Sequence, residues 1–171
     1  MKQKFVLVAA VVIGLFARSY QYLERFNYNH DTDLAAWIIK DIVVDKHIRL
    51  IGQLTSSPGI YIGALWYYLQ IPFYLAGHMD PVYVPLLSIG VGVVAIISLY
   101  WVVTRIYGSK PGSIAALIYA VSWSISSTER DVVPTTPAFL WTIWFLYAIN
   151  LLLLGKKRGL LIVAILWGLI W

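Results

Sequence analysis

The chain has 171 residues, 60% of them hydrophobic and 12% charged, and a mean hydropathy of +0.76. Soluble domains carry roughly 45–50% apolar and about 25% charged residues, so the composition excludes an ordinary soluble domain and describes an integral membrane protein. The net charge of +5 does not indicate nucleic acid, because the basic residues flank apolar runs and do not gather on one polar face. The lack of cysteine excludes disulfides, thiolate metal sites and a cysteine nucleophile.

Lys2 and Lys4 precede an apolar run from Phe5 to Ala17. No small-x-small cleavage site follows, so this is an uncleaved first span, 5–23, with Arg18 at its outer end. A polar segment then runs from Arg25 to Pro58 and holds Asp31, Asp33, Asp41 and Asp45, four of the eight acids. Within it, residues 32–44 have helical periodicity. Leu34, Ile38 and Ile42 form one row and Ala35, Ile39 and Val43 the next, with Asp33, Lys40 and Asp41 turned away. Such a helix lies on a membrane surface or against other helices. Residues 45–52 lead out of it, and 55–59 form a loop.

Residues 60–77 are apolar and aromatic but interrupted by Gln70 and Pro72. Residues 82–104 form a span close to the roughly 20 residues a bilayer needs. Further apolar runs cover 112–127, 137–154 and 159–171. The chain stops inside the last of these, so it is expected to be the N-terminal portion of a longer transmembrane domain. Charge decides the topology, because basic residues in short loops mark the cytoplasmic side. If 60–77 does not span, the basic clusters Lys2/Lys4, Arg105/Lys110 and Lys156 to Arg158 share one side, and all eight acids share the other. The expected arrangement is therefore an all-α, multi-pass protein of the cell (plasma or inner) membrane. Its N-terminus is cytoplasmic, and an extracytoplasmic loop, 25–81, carries juxtamembrane helices at 32–44 and 60–77.

The outer acids are the candidate chemistry. Asp31, just before a helix, can be an N-cap, or a general base or cation ligand, and these readings are compatible. Asp33 suits a solvated first-turn acid. Glu129 and Asp131 form a second acidic cluster in the small outer loop, 128–136. Arg130 between them can pair with a carboxylate or hold a phosphate with its planar donor fork. Arg49 and Lys46 suit headgroup, solvent or anionic-donor contacts. His30 and His47 have no ligand partner at helical spacing, which argues against zinc. His78 belongs to a turn before Asp80 and Pro81. The clear spans hold no ionisable residue, which argues against a transporter.

The order of these parts resembles the N-terminal part of the GT-C superfamily of polytopic glycosyltransferases. That group includes the protein O-mannosyltransferases and the aminoarabinose transferases that modify lipid A. The parts that carry the resemblance are Phe16-Ala17-Arg18 and the segment Asp31 to Ile42. Ser57-Pro58-Gly59 with Trp66 to Tyr68 follows, and then Arg105 to Gly112. Many relatives have Asp-Glu where this chain has Asp31-Thr32, and some have an acid or amide where it has Thr135-Thr136.

The resemblance implies transfer of a sugar from a polyprenyl-phosphate-linked donor to a glycan, lipid or protein acceptor, at the outer face and with inversion. Asp31 would be the base, with Asp33 secondary. Arg130, Arg18 or Arg49 would hold the donor phosphate beside membrane lipid. A divalent cation, Mg or Mn, between the acidic clusters is compatible with this chemistry but not required by it. A non-catalytic membrane subunit or lipid-binding scaffold derived from such an enzyme is the alternative.

Overall fold

The computed structural model describes residues 2–170; Trp171, the end of the last expected span, lies outside them. Eight helices and one hairpin follow in chain order. They form a helical bundle with a second, more polar layer packed on one end.

The first helix, α1 (Lys2–Ser19), is apolar on almost every side. It was expected to run to about Leu23 but stops four residues earlier. Gln21 adopts a left-handed conformation (φ 53°), and residues 20–25 continue as turns. A left-handed residue just past the last turn is a standard helix terminator.

α2 (His30–Val43) is the expected amphipathic helix. Ala35, Ile38 and Ile39 are buried, while Lys40 faces solvent. Its N-cap is Asn29, whose Oδ1 accepts from the Thr32 N–H at 3.0 Å. The capping reading of Asp31 is therefore corrected: Asn29 takes that role, and the helix starts one residue before Asp31.

The protein is mostly helical, as expected, but it also carries one short hairpin that the all-α reading did not include. β1 (Ile51–Leu54) and β2 (Tyr61–Gly63) pair antiparallel, Ile51 opposite Gly63 and Leu54 opposite Tyr61. The turn between them is closed by Thr55 N–H to Ile60 O at 2.8 Å. The helix expected over 60–77 accordingly starts later, as α3 (Leu65–Ala76). At about 1.5 Å per residue its 12 residues extend about 18 Å.

A 3-10 turn at Pro81–Tyr83, capped by Asp80 at 2.9 Å from the Val82 N–H, feeds α4 (Pro85–Tyr107). The continuous stretch Pro81–Tyr107 is the one helix among the described residues that is long and apolar enough to cross a membrane. Gly108 (φ 95°) reverses the chain into α5 (Ser109–Val121).

The run expected over 112–127 is broken at Ser122, which is extended (ψ 112°), and a short helix α6 (Trp123–Thr128) follows. Serine hydroxyls compete for backbone groups here, with Ser126 Oγ donating to Ser122 O at 2.5 Å. α7 (Ala138–Leu153) and α8 (Arg158–Ile170) are apolar but shorter.

Two cores result. In the bundle, α1, α4, α5 and α7 bury Ala10, Ala95, Ile96, Ala116 and Ile143. In the outer layer, α2 and α3 bury Ile39, Trp66, Tyr67 and Tyr74 with Val84 and Val132. The outward faces of α1, α7 and α8 remain apolar: Phe5, Phe16, Leu153, Leu161 and Trp167 are all more than half exposed. Contiguous apolar surface of this kind marks a contact with lipid or another apolar partner.

Candidate active site

Asp31 sits in the first turn of α2, half-buried. Its Oδ1 accepts from Gln53 Nε2 at 2.8 Å. Gln53 is on β1, the strand that the sequence reading missed. Asp33, one turn-position on, accepts from the Tyr28 hydroxyl at 3.0 Å. Burial and this carboxylate together push the Tyr28 phenol up, so it stays a donor. The two loop acids thus have separate partners.

A groove of about 680 Å³ runs between α2 and the hairpin, lined by His30 and Gln53, the chain neighbour and the hydrogen-bond partner of Asp31. His30, Trp37, Asp45, Gln53 and Tyr61 are among its walls. Asp41 closes one end, held by Arg49 Nε at 2.5 Å and by His47 Nδ1 at 3.3 Å. The hydrogen bond from Arg49 holds the Asp41 carboxyl below its ordinary range.

The second acidic cluster divides. Asp131 is exposed. Glu129 is buried, and its Oε2 accepts from Arg18 Nε at 2.7 Å and Arg18 Nη2 at 2.5 Å. Its Oε1 accepts from the Tyr119 hydroxyl at 2.6 Å. Arg18 is itself fully buried and donates a further bond to Gly14 O at 3.1 Å. It packs on bare backbone at Gly92, where an added Cβ would lie 2.5 Å from Arg18 Nε.

Of the three arginines expected to hold phosphate, the structure therefore commits Arg18 to Glu129 and Arg49 to Asp41. Arg130 remains. Its Nη2 donates to Ala17 O, its guanidinium lies 5.5 Å from the Trp123 ring, and its Nε has no hydrogen-bond partner among the described residues. Arg25, which the sequence reading did not single out, stacks on the same ring at 5.8 Å. Burial pushes the Arg130 pKa down, and the Arg25 and Arg18 charges act in the same direction. The crevice among these three arginines measures about 10 Å³. That volume holds at most one water, so an anion would have to sit on its rim, against Arg25 and Arg130. The mutual approach of three guanidinium groups is a tertiary fact with no sequence signal.

A second, apolar groove of about 450 Å³ lies between the hairpin and α7–α8, with walls including Ile62, Pro134, Trp141, Phe145 and Trp167.

No group of three or more His, Asp or Glu side chains that could hold a metal ion occurs among the described residues. The donor chemistry explains why. Both oxygens of Glu129 are taken by Arg18 and Tyr119, while Asp41 has one oxygen engaged by Arg49 and Asp31 one by Gln53. The expected acidic clusters do not present a cation cage, and no step below is routed through a metal.

The fold and site describe a helical, membrane-compatible protein that holds a carboxylate with an amide at the edge of a groove. The family can be stated more narrowly. The model of the dolichyl-phosphate-mannose-protein mannosyltransferase family matches residues 62–170, more than half of the chain, and the chain belongs to that family. This places it among the glycosyltransferases. No curated protein and no solved structure matches the chain. The match covers Glu129, Arg130 and Asp131 and begins at Ile62, so Asp31 and Arg18 lie ahead of it.

Proposed function

We propose that this protein transfers a sugar from a polyprenyl phosphate to an acceptor hydroxyl at the extracytoplasmic face, with Asp31 as the general base. The observation that carries the reading is the Asp31 carboxylate: one oxygen is fixed by Gln53 and the side chain is only half-buried. Its second oxygen, Oδ2, takes the acceptor proton. The acceptor oxygen then bonds to the anomeric carbon, and the bond from that carbon to the phosphate oxygen breaks. Polyprenyl phosphate leaves with the electron pair. One displacement gives inversion. A positioned carboxylate contributes in this way when it lies within hydrogen-bond reach of the proton it removes.

Arg130, with Arg25, neutralises the leaving phosphate, since neither has a carboxylate partner in the structure while Arg18 and Arg49 do. Fixed cations aimed at developing charge are a large source of rate enhancement. The apolar groove lined by Trp141 and Phe145 suits the first isoprene units. The topology follows the charge asymmetry read from the sequence. The short extent of α3 and its buried Trp66, Tyr67 and Gln70 support a helix lying in the outer layer, not one crossing the bilayer.

The test uses the full-length gene product in its own membranes, with polyprenyl phosphates carrying radiolabelled mannose, glucose or aminoarabinose. Asp31→Asn abolishes transfer of whichever sugar is used. Asp33→Asn, which keeps an acceptor for Tyr28, lowers it less. Transfer retained in Asp31→Asn refutes the base. No transfer from any donor by the parent favours the non-catalytic scaffold.

A further inference from the structure

Reading Asp31 as the base leaves open what holds it in its reactive geometry. We infer that Gln53, itself oriented by Tyr67, is the positioning residue for the Asp31 carboxylate. The inference rests on the function proposed above and adds two residues to it.

The geometry forms a three-member chain. Tyr67 is fully buried on α3, in the outer-layer core. Its hydroxyl accepts from the Gln53 backbone N–H at 3.3 Å and donates to Gln53 Oε1 at 3.2 Å. The same amide then donates through Nε2 to Asp31 Oδ1 at 2.8 Å. An amide can be turned either way, and its neighbours decide which. Here both do. The phenol needs an acceptor and the carboxylate needs a donor, so Oε1 faces Tyr67 and Nε2 faces Asp31. The opposite orientation would set a carbonyl against a carboxylate.

Two further observations support the chain. Burial raises the Tyr67 pKa, and the Asp31 charge acts in the same direction, although the Gln53 backbone contact opposes them. The phenol therefore remains a proton donor. Gly52, next to Gln53, lets β1 lie directly on the Tyr67 ring; a Cβ there would stand 2.4 Å from Tyr67 Cε2. The strand is thus brought close enough for both contacts by the residue before Gln53. The consequence is selective. Oδ1 is occupied and the carboxylate plane is fixed, which leaves Oδ2 as the oxygen that meets the acceptor.

A purely structural role for Gln53 would make the same contacts, so the test separates the two. Gln53→Leu, Tyr67→Phe and Asp31→Asn are prepared in the full-length protein. Transfer is followed with radiolabelled dolichyl phosphate mannose, or with the donor the parent uses. Gln53→Leu is expected to lower kcat about tenfold, the loss that a charge-assisted hydrogen bond carries, with the donor KM unchanged. Tyr67→Phe, which keeps the ring and the fold, gives a smaller fall of the same kind.

Infrared difference spectra of protein labelled with 13C at the aspartate carboxyl isolate the Asp31 band by its loss in Asp31→Asn. That band shifts in both Gln53→Leu and Tyr67→Phe. Two results overturn the inference alone: an inactive Asp31→Asn beside a fully active Gln53→Leu, or an Asp31 band unmoved in Tyr67→Phe. An active Asp31→Asn instead overturns the base and, with it, the positioning role.

Discussion

Replacing Glu129 by Ala should destabilise the protein more than any other single change at its charged residues. Glu129 and Arg18 are 1% and 0% exposed, so neither side chain is in contact with bulk solvent. The substitution deletes the acceptor of two guanidinium bonds and of the Tyr119 phenol at once. Removing one member of a buried pair leaves an uncompensated charge and costs about 3–5 kcal/mol. The extra orphaned phenol places Glu129→Ala near the upper end of that range. Tyr119→Phe removes only one bond to a charged acceptor and should cost about 1.5–3 kcal/mol. The double change Arg18→Met with Glu129→Leu removes both charges and should recover most of the single-variant loss, since replacing a whole buried pair by apolar groups is often near neutral. The assay is unfolding of detergent-solubilised protein by titration with SDS, followed by tryptophan fluorescence and circular dichroism. A Glu129→Ala variant within about 1 kcal/mol of the parent would refute the reasoning, because that is the size of an exposed ion pair. So would a double variant as unstable as the single one.

Gly52→Ala places a Cβ 2.4 Å from Tyr67 Cε2 and 2.8 Å from Ile62 O, so the strand must lift from α3. It should cost about 1–3 kcal/mol and lower transfer, while Gly90→Ala, with nothing within 4 Å of the added atom, changes neither unfolding nor rate. Asp41 gives a pH signature. Its folded carboxyl lies below the ordinary value of 3.8, so the unfolded state binds the proton more readily. The contribution of the contact is complete above that value and is lost as pH falls through the lower folded value. A nitroxide at the exposed Ile48 should therefore gain mobility only as pH falls below the ordinary carboxyl value of 3.8, and Arg49→Gln should show the high mobility throughout.

The helices were legible where one periodicity ran unbroken. In α2 the rows through Ala35, Ile38 and Ile39 dictated both the helix and its buried face. Where two local preferences competed, the sequence was ambiguous. Ile51 to Leu54 is short, contains a glycine and is apolar enough to pass for a helix exit. It becomes a strand because Tyr61 to Gly63 folds back on it and Tyr67 packs beneath. The break at Ser122 is likewise invisible in hydropathy, which serine and its apolar neighbours average away. Asn29 was passed over as a cap in favour of Asp31, although both are good N-cap residues. The choice depends on where the first helical turn closes, which side-chain type does not specify.

For the site, residue types were informative but pairings were not. Asp31, Glu129 and Arg130 all stood out as charges in an apolar chain. That Glu129 answers to Arg18, 111 residues away, and Asp31 to Gln53 required the fold.

Those pairings show which charges are already engaged within the fold. Arg18 links α1 to the loop after α6 through Glu129, and the next residue in that loop is Arg130, whose Nη2 rests on Ala17 O beside Arg18 itself. The buried pair therefore fixes the backbone on which Arg130 stands. On α2, Arg49 pairs with Asp41, while Asp31 is held by Gln53 through one oxygen. The charge excess that first drew attention to the outer loops is mostly scaffold. The function proposed above draws on the remainder: Asp31 for the acceptor proton, and Arg130 with Arg25 for the phosphate.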